Sequence, residues 1–311
     1  MQSKIVILGT GGTIAGTAAS ATDTVGYRSA QLGVAQLLAA VPPLATLAAG
    51  AIECEQVAQL DSKDMDHATW QRLAQRCGHH LARADVAGVV VTHGTDTLEE
   101  TAYFLHRVLG PAKPLVLTAA MRPATSLQAD GPQNLLDAVA MARDSAAQGV
   151  LVAMAGRVWA GAELRKVHSQ RLDAFDAGDA GPLAVIEAGQ PHWWRAAPSC
   201  DALGLQRIQR DAADWPRVEI VLNHVGAGGA LVDVLVEQGV HGIVAAGTGN
   251  GTLHRNLEAA LLRAQAQGVH VLRASRCAAG PVLGNDSLPS AGRLTAVQAR
   301  IELLLKLLGT A

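Results

Sequence analysis

The sequence predicts an α/β fold: a larger N-terminal domain with a mainly parallel sheet flanked by helices, a linker, and a smaller α/β C-terminal domain. Three observations predict it. Short β-branched runs alternate with stretches of helical periodicity, polar residues follow the apolar runs, and 311 residues that are 49% hydrophobic can fill two cores. A stretch rich in Pro, Asp and Trp interrupts this pattern, so we expect domains at 1–190 and 216–311 joined by a linker at 191–215.

Seven short runs of β-branched and other apolar residues predict strands. Helical stretches separate most of these runs, and a strand that returns through a helix lies parallel to its neighbour. The runs are KIVIL (4–8), GVVVT (88–92), PLVLT (114–118), GVLVAM (149–154), VEIVL (218–222), GIVAA (242–246) and VHVL (269–272).

Helical spacing of apolar residues is clearest between residues 66 and 84, which predicts a helix there. Its polar residues, His79 and His80 among them, are expected on the surface. Thr295, followed three residues later by Gln298, predicts a capping box at the start of a last helix.

Residues 34–52 carry no charge and nearly reach the length of a membrane span. Pro42 and Pro43 stand in the middle of this segment, where proline breaks a helix because it lacks a backbone donor. We therefore expect a helix that ends near Val41 and no membrane span.

The charge composition of the chain limits the kinds of molecule that we expect it to bind. The formal net charge is -2, and no run of Lys or Arg occurs. A protein that binds nucleic acid or an anionic membrane by electrostatic attraction needs such a run, so we expect neither partner. The expected partners are a small molecule and another subunit.

Cysteine spacing and the N-terminal residues indicate the compartment. Cys54, Cys77, Cys200 and Cys277 lie far apart and form no CxxC pair, so we expect reduced thiols and neither a zinc site nor a disulfide framework. No HExxH motif or other histidine cluster with ligand spacing occurs, and no metal is expected. The first twelve residues, MQSKIVILGTGG, lack the features of a secretory signal, which predicts a cytoplasmic location.

Two loops that follow predicted strands are rich in hydroxyl groups. GTGGTIAG at 9–16 carries Thr10 and Thr13, and THGTDT occupies 92–97. In parallel sheets, ligands bind beyond the carboxyl ends of the strands, where helix N-termini and loop amides converge. The two loops therefore predict a site at one edge of one sheet.

The glycine-rich loop does not match a nucleotide-binding motif. The dinucleotide fingerprint GxGxxG needs a glycine at Ile14, and in GTGNGT from Gly247 it needs one at Thr252. No GxxxxGK[ST] motif occurs either. What remains is a threonine hydroxyl beside backbone amides. Such a hydroxyl attacks an acyl carbon when a neighbouring base takes its proton, and the amides stabilise the oxyanion.

These loops resemble the two active-site signatures of the bacterial-type L-asparaginase and glutaminase family, the threonine amidohydrolases. The resemblance covers almost the whole chain in the family's order. It rests on ILGTGGTIAG, LDSKDM (60–65), VTHGTDTLEETA, AAMRPATSLQADGPQNLLDAV (119–139), LVAMAGRVWAGAELRKVHS (151–169), GTGNGTL (247–253) and RASR (273–276). It implies hydrolysis of L-asparagine, with glutamine or a related amide as further substrates, to the acid and ammonia through an acyl-threonine intermediate. It also implies that no metal or organic cofactor takes part.

The resemblance implies a role for each catalytic residue. Thr13 is the nucleophile and Tyr27 its partner, while Thr95, Asp96 and Lys166 form a second group of hydroxyl, acid and amine. Which threonine attacks first is left open by the resemblance. We expect Thr13 to attack, and Thr95 to activate water or hold the oxyanion.

The resemblance also implies how an amino-acid substrate is bound. Ser62 and Asp96 hold its α-carboxylate and α-amino ends, and Asn250 reaches in from a neighbouring subunit of an intimate dimer that pairs into a homotetramer. Lys63 stands where many members have a glutamine or a small polar residue. Its cation strengthens carboxylate binding but repels an α-ammonium unless Asp96 or another acid screens it.

Two further positions depart from the family pattern. The segment after Arg276, CAAGPVLGNDSLPSAG, is shorter than in many members and lacks an evident glutamate, so that Asp286 is its only acid. Val167 and Ser169 replace the threonines that usually follow the lysine. Because the segment after Arg276 lacks an evident glutamate, recognition of the substrate's α-amino group is expected to use Asp286 or to be looser.

Single residues of the pattern also have structural explanations. Thr95 and Thr97 suit a helix cap, and acids at 96, 99 and 100 suit the first turn of a helix because the helix dipole stabilises them there. Lys166 suits a solvated surface. The functional interpretation depends on the joint occurrence of the motifs.

Arg122 is expected to have a structural role and to anchor its loop through nearby acids. Asn250, between two glycines, has a left-handed backbone conformation as the structural alternative to its role in binding. One alternative function also stays open. The alternative is a catalytically idle protein of the same fold that binds or senses a small amino acid. Lys63 and the short segment after Arg276 favour it.

Overall fold

An eight-stranded and a three-stranded sheet, both mainly or wholly parallel, form the framework of the chain and confirm the predicted α/β class. The computed structural model describes residues 3–23, 25–47, 52–284 and 287–309. The contacts within the chain divide it into two units, Met1–Gln206 and Arg207–Ala311.

The elements alternate between strand and helix for most of the chain. The strands of the first unit are β1 Lys4–Gly11, β2 Ile52–Leu60, β3 Val86–Thr92, β4 Pro114–Thr118, β5 Gly149–Met154, β6 Arg157–Ala160, β7 Arg165–Lys166, β8 Phe175–Asp176, β9 Ala184–Glu187 and β10 Gln190–Trp193. Its helices are α1 Val34–Ala39, α2 Pro43–Leu47, α3 His67–Leu81, α4 Leu98–Leu109 and α5 Gly131–Arg143. The second unit contains β11 Val218–Leu222, α6 Ala230–Glu237, β12 Gly242–Gly247, α7 Arg255–Ala266, β13 His270–Ser275 and α8 Ala296–Leu307.

The larger sheet reverses its strand order next to β1. Its order is β10-β9-β6-β5-β4-β3-β1-β2, with β1 to β5 parallel and the remaining pairs antiparallel. The chain places β2 on one side of β1 and then builds β3, β4 and β5 on the other side. In open parallel sheets, ligands bind beyond the carboxyl ends of the strands at such a reversal. The loops after β1 and β3 lie at this point.

Both faces of the larger sheet are covered. Ile5 and Ile7 of β1, with Val90 of β3, pack in one cluster with side chains of α1, α2 and α5. Helices α3 and α4 contact β2, β3 and β5 but contribute no residue to that cluster, so they cover the opposite face. Because both faces are buried, the central strands are continuous apolar runs in the sequence.

Several local predictions are confirmed. The helix predicted at 66–84 is α3, and α1 ends before Pro42, after which α2 begins at Pro43. The capping box of Thr295 and Gln298 is present at the start of α8, with both hydrogen bonds formed.

The expected surface position of His80 is wrong, although His79 is exposed. His80 is buried, with Nε2 2.9 Å from Glu55 Oε2 on β2. Strand β2 was not predicted from the sequence, and it supplies the contact that covers His80.

The second unit has helices on both faces of the parallel sheet β11-β12-β13. Ile243 and Ala245 of β12 pack with side chains of α6 and α7. Helix α8 contacts all three strands, and a Cβ at Gly242 would lie 2.8 Å from Leu303 of α8. Among the helices within the described ranges of the chain, none has the length and apolarity that crossing a bilayer requires.

Candidate active site

A cavity of about 190 Å³ lies beyond the carboxyl ends of β1 and β3, where the sequence predicts a site. It brings together side chains from four segments of the first unit. Its lining residues are Thr13, Val25, Tyr27, Thr95, Asp96, Met121, Arg122, Lys166, Ser169 and Gln170. A larger cavity of about 600 Å³ lies beside Trp193 and Trp194, but the described residues that line it include no threonine, acid or lysine.

The glycines after β1 allow Thr13 to enter this cavity. Gly11 and Gly12 have φ values of 106° and 80°, in the region where side chains are strained. A Cβ on Gly12 would lie 2.4 Å from the Cα of Gly94, so the two loops are in direct backbone contact. Thr13 is buried, and its Oγ1 lies 2.7 Å from the hydroxyl of Tyr27.

Lys166 joins the second threonine to the acid. Its Nζ donates to Thr95 Oγ1 at 3.0 Å and to Asp96 Oδ1 at 2.6 Å. The Lys166 side chain is 17% exposed and the Asp96 side chain 54% exposed. The explanation of Lys166 as a solvated surface residue is therefore wrong, whereas Asp96 stays open to solvent and to a ligand.

Helix capping does not explain the threonines. Thr97 is the residue before α4, but its hydroxyl donates to the backbone oxygen of Ser62 at 2.7 Å and caps no helix amide. The hydroxyl of Thr95 faces Lys166 instead of α4.

Ser62 and Lys63 lie next to the site in different ways. Ser62 is buried, and its Oγ accepts from the backbone N–H of Asp96 at 3.2 Å. Lys63 is exposed, and its Nζ forms an ion pair with Asp64 at 2.5 Å. Neither residue lines the cavity as the isolated chain forms it. Their roles in substrate binding stay predictions.

His93 is a buried residue that sequence reasoning did not select. Its Nδ1 lies 2.7 Å from the oxygen of Gly94, and its Nε2 lies 3.0 Å from Thr101 Oγ1, which in turn accepts from Trp70 Nε1 at 2.9 Å. Burial lowers the pKa of His93 to about 4, so the ring is neutral near pH 7. A neutral ring has one N–H, which Nδ1 donates to Gly94, and Nε2 then accepts from Thr101. The signal in the sequence is its place directly after four residues of a fully buried strand.

Arg122 differs from the prediction that it anchors its loop through acids. Its guanidinium donates to the backbone oxygens of Met121 and Gln170 at 3.3 and 2.9 Å. Asp130 instead accepts from the backbone N–H of Arg122 at 2.9 Å. Arg122 therefore ties two loops of the cavity together.

Asn250 lies in the second unit and is exposed. Its Nδ2 donates to the oxygen of Leu283 at 3.0 Å, and its Oδ1 accepts from the N–H of Leu283 at 2.7 Å. The left-handed residues here are Gly249 and Gly251 and do not include Asn250, so the conformational explanation of Asn250 is wrong.

Two predictions, the role of Asp286 and the lack of a metal site, involve residues that the structure does not fully describe. Asp286 lies outside the described residues, so its expected place in amino-group recognition stays a prediction. In the stretches that the structure does describe, no group of three or more His, Cys, Asp or Glu side chains is placed to hold a metal ion.

The fold and the cavity of threonines, acid and lysine define an amidohydrolase of the asparaginase type. The chain belongs to the bacterial asparaginase and glutaminase family. Residues 4–199 match the family model "Asparaginase, N-terminal", and residues 217–310 match "Glutaminase/Asparaginase C-terminal domain".

Similar proteins cover nearly the whole chain. L-asparaginase 2 of Escherichia coli is 38% identical over 316 residues, which is 99% of this chain and 89% of that protein. The glutaminase-asparaginase of Pseudomonas fluorescens biotype A is 37% identical over 290 residues, 92% of this chain and 79% of that protein. The crystal structure of the probable cytoplasmic L-asparaginase from Campylobacter jejuni has a TM-score of 0.92 at 38% identity and covers 98% of this chain and 95% of that one.

Proposed function

We propose that this protein hydrolyses L-asparagine to aspartate and ammonia through an ester on Thr13. The observation that carries the proposal is that Thr13 and Thr95 line one cavity, each within hydrogen-bond distance of a proton-transferring partner. A hydroxyl needs such a partner because it is a weak nucleophile at neutral pH.

In the first step, Oγ1 of Thr13 attacks the side-chain carbonyl carbon of the substrate. Its proton passes to the oxygen of Tyr27, 2.7 Å away, and Tyr27 passes its own proton to the amide nitrogen. The C–N bond then breaks, ammonia leaves and an aspartyl ester remains on Thr13. The N–H groups of the loop stabilise the oxyanion that forms on the way.

In the second step, water attacks the ester carbon. Thr95, whose Oγ1 lies 3.0 Å from Nζ of Lys166, takes a proton from the water as it passes its own to Nζ, a step that requires Nζ to have a free lone pair. The ester bond breaks, the proton returns to Oγ1 of Thr13, and aspartate is released. Asp96 uses one oxygen for Lys166 and leaves the other to accept from the substrate's α-ammonium.

The proposal is tested by measuring ammonia and acid released from the L and D forms of asparagine and glutamine. Release from L-asparagine is expected, and glutamine is included because the Pseudomonas relative is called a glutaminase-asparaginase. The alternative of an idle amino-acid-binding protein is favoured by Lys63. It predicts that asparagine raises the melting temperature while no ammonia forms.

We further propose that the protein is a homo-oligomer whose intimate dimer pairs into a tetramer. Four large apolar side chains of the second unit support this proposal, because they are exposed in the isolated chain: Leu222, Val225, Leu231 and Val234. Sedimentation equilibrium tests it, and a monomer at micromolar concentration contradicts it.

A cytoplasmic location is also proposed. The Campylobacter protein is called cytoplasmic, and the four cysteines of this chain are free, as expected in a reducing compartment. Recovery of the protein in a periplasmic fraction contradicts the proposal.

A further inference from the structure

Asp130 stands directly before α5, at the position where an aspartate usually caps a helix. Its side chain nevertheless caps no amide of that helix. The second residue of α5, Pro132, has no N–H to be capped. The carboxylate of Asp130 is used elsewhere, so helix capping does not explain this residue.

The carboxylate of Asp130 holds two consecutive N–H groups of the loop that follows β4. Oδ2 accepts from the N–H of Met121 at 3.0 Å, and Oδ1 accepts from the N–H of Arg122 at 2.9 Å. Both Met121 and Arg122 line the cavity of the candidate active site. A single side chain at the start of α5 therefore fixes part of the cavity wall through the main chain.

Asn134, one turn further along α5, holds the carboxylate of Asp130 in its turn. Its Nδ2 donates to Asp130 Oδ2 at 3.1 Å and to the oxygen of Ala119, directly after β4, at 2.9 Å. Its Oδ1 accepts from the N–H of Ala155, directly after β5, at 2.9 Å. Because Asn134 is buried and bonded to the ends of two strands, the position of the carboxylate is fixed relative to the sheet.

The wall continues through Arg122 to the segment that follows Lys166. The guanidinium of Arg122 donates to the oxygen of Gln170 at 2.9 Å, and Gln170 also lines the cavity. Met121, Arg122 and Gln170 therefore form one connected wall of the cavity. The proton transfers of the proposed mechanism use other residues, Tyr27 and Lys166, so this wall is available to hold the substrate.

We propose that Asp130 is a positioning residue for the substrate: its carboxylate fixes the wall of Met121, Arg122 and Gln170, and the substrate is bound against that wall. The inference rests on the proposed function, because it requires that asparagine occupies this cavity. Asp130 itself does not belong to the cavity lining, so it acts on the substrate only through the wall.

The kinetic test compares Asp130→Ala, which removes both acceptor oxygens, with Asp130→Asn, which keeps one of them. A misplacement of about 1 Å at a binding site costs on the order of 100-fold in rate. For Asp130→Ala we expect kcat/KM to fall about 10- to 100-fold, mainly through a higher KM, since the residues that transfer protons are unchanged. Asp130→Asn keeps one N–H in place and should lie between Asp130→Ala and the wild type.

Asp144→Ala is the matched control, at the other end of the same helix. Asp144 directly follows α5 and is half-buried, as Asp130 is. Its carboxylate likewise bonds to N–H groups outside the helix, those of Ala146 and of the Trp193 indole, both at 2.8 Å. The 13 residues of α5 separate the two acids by about 20 Å. Asp144→Ala should lower the melting temperature but keep the wild-type KM.

A second readout does not depend on turnover. The chain has five methionines, so protein labelled with ¹³C at the methionine methyl groups gives five methyl resonances. Those of Met121 and Met141 are identified by their loss in Met121→Leu and Met141→Leu. In the wild type, L-aspartate, the proposed product, should shift the Met121 resonance.

The two methionines separate a displaced wall from a general loss of structure. In Asp130→Ala without ligand, the Met121 resonance should move, and its response should require at least about 10-fold more aspartate. Met141 is fully buried near the far end of α5, and its resonance should stay unchanged. In Asp144→Ala, Met121 should respond to aspartate as in the wild type.

The inference is overturned if Asp130→Ala keeps the wild-type KM and the wild-type response of Met121. It is also overturned if Asp144→Ala weakens aspartate binding equally. Should Asp130→Ala fail to fold, the same comparisons with Asp130→Asn decide. A wild-type protein that releases no ammonia refutes the proposed function instead, and the Met121 resonance of the ligand-free Asp130 variants then still decides whether Asp130 fixes the wall.

Discussion

Gly12 and Gly94 are in backbone contact where the two threonine loops cross, with no room for a side chain on either residue. A Cβ on Gly12 would lie 2.4 Å from the Cα and N of Gly94, and a Cβ on Gly94 would lie 2.4 Å from Ser62 Oγ. This crossing places Thr13 and Thr95 on one cavity although 82 positions separate them (95 − 13).

Gly12→Ala is expected to separate the loops. The new Cβ meets backbone atoms that cannot move independently, and φ of Gly12 is 80°, so the strain is about 1–3 kcal/mol or more. We expect a lower melting temperature and loss of ammonia release. Gly228→Ala is the control, because a Cβ there has open space and φ is not positive. Equal stability and activity of both variants would contradict the close crossing.

The buried position of His93 leads us to expect that the folded protein loses stability in acid. Its pKa is about 4 in the folded chain and near 6.5 when unfolded, so the unfolded chain binds the proton first as the pH falls. The free energy of unfolding should therefore fall by about 3 kcal/mol between pH 6.5 and 4 through this group. Denaturant titrations at several pH values should show a smaller fall in His93→Gln than in the exposed control His79→Gln. The same fall in both variants would contradict this assignment.

Lys63→Gln is expected to change substrate preference more than stability. The ion pair of Lys63 with Asp64 is exposed, so water and salt screen it and it contributes little to stability. Lys63 is close enough to interact with the charge of Asp96, and its removal should therefore alter KM for α-ammonium substrates. KM ratios for asparagine, glutamine and their α-deaminated analogues measure the effect. An unchanged profile would remove Lys63 from substrate recognition.

The central strands could be predicted from sequence because burial on both faces makes them continuous apolar runs. β2 could not, since this edge strand carries Glu53 and Glu55, which pair with Arg83 and Arg76. Because β2 was not predicted, His80 was wrongly expected on the surface. Its burial depends on Glu55 of β2. The spacing of apolar residues in a helix does not show which neighbouring element covers a polar residue of that helix.

Topology predicts the place of some residues of the site but not of others. Thr13 and Thr95 follow strands, so topology alone places them together at one sheet edge. Tyr27 lies on a loop and Lys166 on the two-residue strand β7, and both were assigned only by family resemblance.

The expected role of Asn250 in the site of a neighbouring subunit can be tested by complementation between two inactive variants. If it completes the cavity of a neighbouring subunit, Thr13→Ala and Asn250→Ala chains are each inactive alone, but a mixed dimer has one site with both residues intact. Co-expression of the two variants should restore part of the ammonia release. Co-expression of Thr13→Ala with Thr95→Ala, whose changes lie in the same cavity, is the control and should restore none. No recovery in the first pair would contradict a shared site.

The ester on Thr13 can be detected directly. Asparagine is mixed with Thr95→Ala, in which water activation is impaired, and the reaction is quenched in acid and digested with trypsin. Thr13 lies in the tryptic peptide 5–28 and position 95 in the peptide 84–107. We expect an aspartyl ester on peptide 5–28 that is absent when Thr13→Ala is added to the variant; an ester on another peptide, or ammonia release by the Thr13→Ala variant at the wild-type rate, would contradict Thr13 as the nucleophile.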